Sequence, residues 1–287
     1  MRSSILPLRQ LSISNHDRDV AGMTYVYPVV SRRARGVSVG INLNPNNACN
    51  WRCIYCQVPN LQRGGPPPID LKQLETELRA LLSALYDGDY LQTHAPSGSR
   101  QVVDVAFSGN GEPTTAREFH EAVAVVARVV EDFAAPQPLW LRLITNGSQL
   151  GRKDVQRGIR LLGERHGEVW FKVDGVGAEF TRRINGVALQ PATVVRRVKA
   201  CAALCRTWVQ SCFFMLDGAP PDAKMLERYI ALLAEVRDAL AGVHLYGLAR
   251  PSQQPEAPRL KALSPEWLEE FAARIRTETG LTVLVSP

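Results

Sequence analysis

The chain has 287 residues, 45% of them hydrophobic, and carries 34 basic and 28 acidic side chains for a formal charge of +6. That length suits one large core, such as a single α/β barrel of roughly 250 residues, and no apolar run reaches the ~20 residues of a membrane span. Six cysteines without paired spacing argue against a secreted disulfide scaffold and point to the reducing cytoplasm. The segment Met1 to Pro7 lacks the apolar stretch of a signal peptide.

Charge is uneven along the chain. Residues 1–70 hold eight Arg against three Asp, and residues 181–206 hold five Arg and one Lys with no acid. Such stretches can steer phosphate-bearing partners, although long arginines covering apolar surface would give the same composition.

Residues 1–35 show no clear period and read as an N-terminal extension or cap, which leaves 36–287 as the main domain. Val37 to Leu43 reads as a strand leading into a loop. Leu71, Leu74, Leu78, Leu81, Leu82 and Leu85 then recur at helical spacing. Strands follow at 102–107, 139–144, 169–173, 209–215 and 243–249, with helical faces between them at 119–133, from about 153, from about 192 and at 222–240. A helix at 265–279 and a short apolar segment at 281–285 end the chain. Regular β–α alternation implies parallel strands with right-handed crossovers. Six such units fit an α/β fold, a partial (β/α)6 TIM-like barrel, whose ligands gather at the C-terminal strand ends. The stretches 94–100 and 251–262 read as flexible surface segments.

The loop after the first strand carries Cys49, Cys53 and Cys56 in C-x3-C-x2-C spacing. Pro45 and Pro59 bracket it, so an apolar helix stripe is a poor explanation. A structural zinc site takes four ligands, usually in paired spacing, and no histidine occurs between His16 and His94. Thiolates suit iron–sulfur clusters, and three of them leave one iron of a [4Fe–4S] cluster open for a substrate or cofactor. Zinc remains the alternative.

Polar motifs stand at later strand ends. Ser108-Gly109-Asn110-Gly111-Glu112-Pro113-Thr114 follows the second strand, and its glycines allow close backbone approach to a ligand, unless it is a plain βα turn. Thr145-Asn146-Gly147-Ser148 follows the third, where an Asn-Gly turn is the plain reading. Lys172 and Asp174 alternate with apolar neighbours and share one strand face, as a ligand contact or a structural ion pair. Gln210 and Cys212 share a face of the fifth strand, and Gln210 is a candidate polar contact in the barrel lining. Arg250, after the sixth strand, could fix a carboxylate or phosphate. Cys201, Cys205 and Cys212 read as core residues.

The cysteine loop, with Tyr55 just before its last cysteine, resembles the radical S-adenosylmethionine (SAM) superfamily. The resemblance implies a [4Fe–4S] cluster on Cys49, Cys53 and Cys56, and SAM chelated by the open iron. It also implies reductive cleavage of SAM to a 5′-deoxyadenosyl radical, with electrons from a flavodoxin- or ferredoxin-type donor. In that family Tyr55 would lie against the adenine. Gly109, Asn110, Gly111, Glu112 and Pro113 would hold the SAM amino group, with Asn110 in place of a common glycine. Thr145, Asn146, Lys172, Asp174, Gln210 and Arg250 would line the SAM or substrate site.

Further stretches are similar to the subgroup that includes 4-demethylwyosine synthase of tRNA wybutosine formation. They include Pro28 to Arg33, Gln57, the Phe180 to Asn185 segment and Ala249-Arg250-Pro251. The resemblance runs over about residues 25–287. A modified RNA base is the leading substrate expectation, with a peptide or small metabolite beside it. Demethylwyosine synthases carry further cysteines upstream for a second cluster, and no cysteine precedes Cys49 here. A zinc-stabilised nucleic-acid-binding module and a SAM-binding regulator are the competing readings.

Overall fold

The computed structural model describes Leu11 and residues 21–87, 89–133 and 135–287. An eight-stranded sheet runs through it in chain order: β1 (Val26–Ser31), β2 (Gly36–Ile41), β3 (Val102–Phe107), β4 (Trp140–Thr145), β5 (Gly167–Lys172), β6 (Thr207–Cys212), β7 (Gly242–Tyr246) and β8 (Val283–Ser286). β1 pairs with β2 antiparallel, and every later neighbour pairs parallel. The sheet is the expected α/β partial barrel. Two strands extend it beyond the six expected: β8 at one edge, and at the other β1, which lies within the span read as a cap. Of that span, residues 1–10 and 12–20 lie outside the described residues.

Helices α1 (Leu71–Tyr86), α2 (Phe119–Phe133), α3 (Lys153–Glu164), α4 (Ala178–Asn185), α5 (Pro191–Ala202), α6 (Ala223–Val236) and α7 (Pro265–Thr279) occupy the crossovers. Their starts follow local chemistry: Asp70 accepts from the Lys72 and Gln73 amides, Asp222 from Met225 and Ser264 from Trp267. α4 was not expected from periodicity. It is one short, polar stretch that ends at Gly186 in the left-handed region. Within the polar loop expected after α1, Tyr90–His94 forms a short helix.

Each central strand is buried on both faces. One set of alternate residues packs under the helices in the main core, among them Val105, Leu141, Leu143, Val169, Phe171, Val209, Val243 and Leu245. The other set is polar and aromatic and faces the barrel interior. Cys201 and Cys205 are buried in the main core, and Cys212 packs apart from them with Ile54, Tyr55, Ile184 and Phe214. Among the described residues, no helix is long and apolar enough to cross a membrane.

Candidate metal and cofactor site

The loop from β2 to α1 carries the three cysteines over the C-terminal ends of the strands. Ala48–Cys49 forms a short parallel bridge with Gln62–Arg63. A turn closes from the Cys56 amide to the Cys53 carbonyl at 3.0 Å, and Arg52 and Ile54 donate their amides to Asn185 and Ile184 at the end of α4. All three thiols line one cavity of about 250 Å³, together with Tyr55, Gln57, Gly109, Asn110, Gly111, Glu112, Asn146, Lys172, Gln210 and Arg250. Pro113, Thr145 and Asp174 are buried and do not line it.

The segment 251–262 lies at the surface for most of its length but is anchored at two points. Ser252 and Gln254 are buried against the cysteine loop. Ser252 Oγ donates to the carbonyl oxygens of Ile54 at 2.7 Å and Cys56 at 3.1 Å, and Gln254 Nε2 donates to Val58 O at 2.9 Å. Glu256 accepts both guanidinium arms of Arg52, at 2.9 and 3.0 Å. No local pattern announced these contacts, since the partners lie about 200 residues apart in sequence.

Gly109 and Gly111 line the cavity, and their lack of side chains also shapes the loop packing beside it. A Cβ on Gly109 would press into Asn42, and one on Gly111 into the Ala48 carbonyl and the Asn44 amide. The loop after β2 fills the space a side chain would take at these glycines, so they let two loops close on each other. Asn42 Oδ1 accepts from the Asn110 amide at 3.0 Å, and Asn110 Nδ2 donates to Asn47 at 2.6 Å.

Glu112 joins the β3 and β4 ends. Its carboxylate accepts from the Thr114 amide and hydroxyl, the Thr145 hydroxyl and the Asn146 amide. Burial raises its pKa, which the four donors offset only in part. Asn146 in turn donates to Asn50 at 3.0 Å, and Asn50 to Ser148 at 2.6 Å, so the Thr145–Ser148 turn also braces the cysteine loop.

Tyr55 is held from two sides. Lys172 donates to its hydroxyl oxygen, and the hydroxyl donates to Asp174, which also accepts from Asn185 at 2.7 Å. Lys172 and Asp174 themselves lie 3.5 Å apart. Burial would lower the Lys172 pKa, but Asp174 together with Tyr246, Cys53 and Cys212 outweighs it and holds the ammonium well above its usual value. Burial and the Asp174 charge push Tyr55 up. The ring packs at 5.5 Å against Phe214.

Deeper in the barrel lies a network absent from the sequence reading. Arg142 donates to both Asp104 and Glu168, and Ser38 also donates to Asp104. The indoles of Trp170 and Trp208 donate to Glu168 at 2.9 and 3.1 Å. His244 lies against both indole rings, and Arg33 stacks on Tyr246 and Trp170. The signal was available. Asp104, Arg142, Glu168, Trp170, Trp208, Gln210 and His244 occupy alternate positions in strands whose other positions are mostly apolar.

The donor chemistry fits an iron–sulfur cluster. Cys49 Sγ accepts from the Trp51 amide at 3.4 Å and Cys53 Sγ from Asn185 Nδ2 at 3.3 Å, contacts of the kind that tune cluster thiolates. Burial pushes the free thiols up, Cys49 to about 11 and Cys53 to about 12, so an incoming metal must displace their protons. Among the described residues, no three His, Cys, Asp or Glu side chains converge on a point that would hold one metal ion. A [4Fe–4S] cluster spreads its thiolates over separate irons and does not need such convergence.

No family model matches the chain. It is 30% identical to the UPF0026 protein MJ1312 of Methanocaldococcus jannaschii over 170 residues, 57% of this chain and 44% of that protein. It is 26% identical to the GTPase Obg of Brachyspira hyodysenteriae over 132 residues, 45% of this chain and 16% of that protein. The chain thus spans less than half the length of these curated relatives. Among solved structures, a radical SAM methyltransferase from Sphaerobacter thermophilus superposes with a TM-score of 0.55 at 14% identity, covering 87% of this chain and 66% of that one. Streptococcus suis SuiB bound to S-adenosylmethionine superposes with a TM-score of 0.53 at 10% identity, covering 86% and 45%. At these identities the likeness establishes the fold alone: the sheet is a partial α/β barrel like that of these structures.

Proposed function

We propose that the chain is a radical SAM enzyme. The observation that carries this reading is the placement of Cys49, Cys53 and Cys56 on one cavity at the C-terminal ends of that barrel. These cysteines would hold a [4Fe–4S] cluster, whose chemistry when bound is one-electron reduction of SAM with release of a 5′-deoxyadenosyl radical. The chain supplies position and exclusion of water. Ser252, Gln254 and Asn185 hold the cysteine loop. Lys172 and Asp174 orient Tyr55. Glu112, with every donor around it engaged, is a positioning residue that locks the Gly109–Pro113 loop to the Thr145–Asn146 turn.

The substrate-side reading is finer. Likeness to the wybutosine-pathway subgroup and the basic stretches favour a base in RNA, with a peptide or small metabolite as the alternative. A flavodoxin- or ferredoxin-type donor would supply electrons in the cytoplasm.

The test is anaerobic reconstitution with iron and sulfide, followed by dithionite and SAM. About four irons per chain, absorption near ~400 nm and release of 5′-deoxyadenosine are expected, and Cys53→Ala should lose all three. Bound zinc with intact SAM would instead support a zinc-stabilised nucleic-acid-binding module. SAM binding without cleavage would favour a regulator.

A further inference from the structure

The cavity beneath the cysteine loop continues into the barrel, and two of its polar groups lack a polar partner among the described residues. Gln210, on β6, is 1% exposed, and among the described residues neither its Nε2 nor its Oε1 has a hydrogen-bond partner. Burying an amide without a partner is costly, and a bound molecule that pairs with it would relieve that cost. Arg33 lies with its guanidinium carbon 4.6 Å from the Tyr246 ring centroid and 5.5 Å from that of Trp170. Arg142 meets Asp104 and Glu168, and Lys172 meets Asp174, but among the described residues no carboxylate pairs with Arg33. Both Gln210 and Arg33 line the same cavity as the three cysteines.

The neighbouring chemistry narrows what would fit. His244 pairs with Gln210 across β6 and β7, and it stays neutral at physiological pH because burial and the Arg33 and Arg142 charges depress its pKa. It therefore adds no charge to the chamber. A Gln amide presents one donor and one acceptor side by side. Its complement is an adjacent acceptor–donor edge, as in a lactam, a carboxamide or a nucleobase. A guanidinium spread over aromatic faces keeps its N–H fork free for a carboxylate or phosphate.

We infer that the inner chamber is the substrate subsite, taking a small anionic molecule or group whose amide-like edge pairs with Gln210 and whose anion is held by Arg33. This rests on the radical SAM reading and assigns Gln210 to the substrate rather than to SAM. One ligand chemistry has two sources here, a nucleotide unit and a peptide terminus.

The experiment is calorimetry on the full chain, reconstituted anaerobically. SAM is titrated first. The SAM-loaded protein is then titrated with guanosine 5′-monophosphate, with N-acetylglycylglycine, and with phenyl phosphate, which keeps an anion and a ring but lacks the paired edge. One of the first two is expected to bind at least about tenfold tighter than phenyl phosphate, and which of them binds identifies the source. Gln210→Leu, Gln210→Glu and Arg33→Met, each checked for folding by thermal melting, should weaken that binding about tenfold to hundredfold while changing SAM affinity far less. Overturning results are binding of neither probe, equal affinity for phenyl phosphate, or Gln210 variants that lose SAM affinity and keep the probe. SAM binding without probe binding sinks this assignment alone. Failure of SAM to bind sinks the radical SAM reading, and the probes are then judged on the SAM-free protein by the same criteria.

Discussion

Ser252 donates its hydroxyl to the carbonyl oxygen of Ile54 at 2.7 Å, and so the segment after β7 holds the cysteine loop that follows β2. The same hydroxyl reaches Cys56 O at 3.1 Å and accepts from the Gln254 amide at 3.0 Å. The loop that carries the three thiols has little regular structure of its own, so its shape depends on such long-range bonds.

Ser252→Ala removes a buried donor and leaves the Ile54 carbonyl without it, while Cys56 O keeps the Gln253 amide and Gln254 Nε2. The expected cost is about 1–3 kcal/mol, seen as a lower denaturant midpoint. Reconstituted protein should also lose iron to a chelator faster than wild type. An unchanged midpoint and unchanged iron loss would remove Ser252 from the clamp.

Gly111→Ala should be far more harmful than Gly98→Ala. The added methyl at 111 meets backbone of the cysteine loop, while that at 98 meets nothing within 4 Å. Overpacking of this kind costs about 1–3 kcal/mol, and here it displaces Ala48 from its place beside Cys49. Thermal melting and iron content of the two variants, measured side by side, check the contrast.

Arg142→Met strands two buried carboxylates, Asp104 and Glu168, without their cation. Breaking such a network from one side costs about 3–5 kcal/mol. Urea melts should show that loss. Adding Asp104→Asn and Glu168→Gln to Arg142→Met should recover part of it, because the uncompensated charge is then gone.

His244 sits between Trp170 and Trp208, with ring centroids 4.3 and 4.8 Å away. Burial first, and the Arg33 and Arg142 charges second, lower its pKa from 6.5 to about 3. Between those values the unfolded chain binds a proton that the folded chain does not. This contribution to stability is therefore present above pH 6.5 and is lost as pH falls toward about 3. His244→Phe keeps the ring stacking and removes the titration. Between about pH 7.5 and about pH 5 the variant should lose roughly 1–2 kcal/mol less stability in urea melts than wild type. Parallel pH profiles would assign the effect to other groups.

Much of the fold was legible because strands and helices are written in local periods. The leucine spacing of α1 and the apolar runs of β3 to β7 each carry their own signal. β1 escaped because Val26–Ser31 has no period to distinguish it from the preceding cap, and only its pairing with β2 makes it a strand. α4 escaped because it is too short and polar to show a face.

The candidate site divides in the same way. Its thiols could be read from spacing alone, since ligand chemistry depends on side-chain type within a short loop. The sequence by itself also determined the α/β alternation, and with it the strand ends at which polar motifs gather. Only the tertiary structure decided that Ser252 and Gln254 clamp that loop, that Gly109 and Gly111 let the loop after β2 pack against them, and that Gln210 and Arg33 share one chamber. The physical reason is distance along the chain. Periodicity and capping act within a few residues, whereas burial of an amide or pairing of a charge depends on groups that meet only once the sheet has curled.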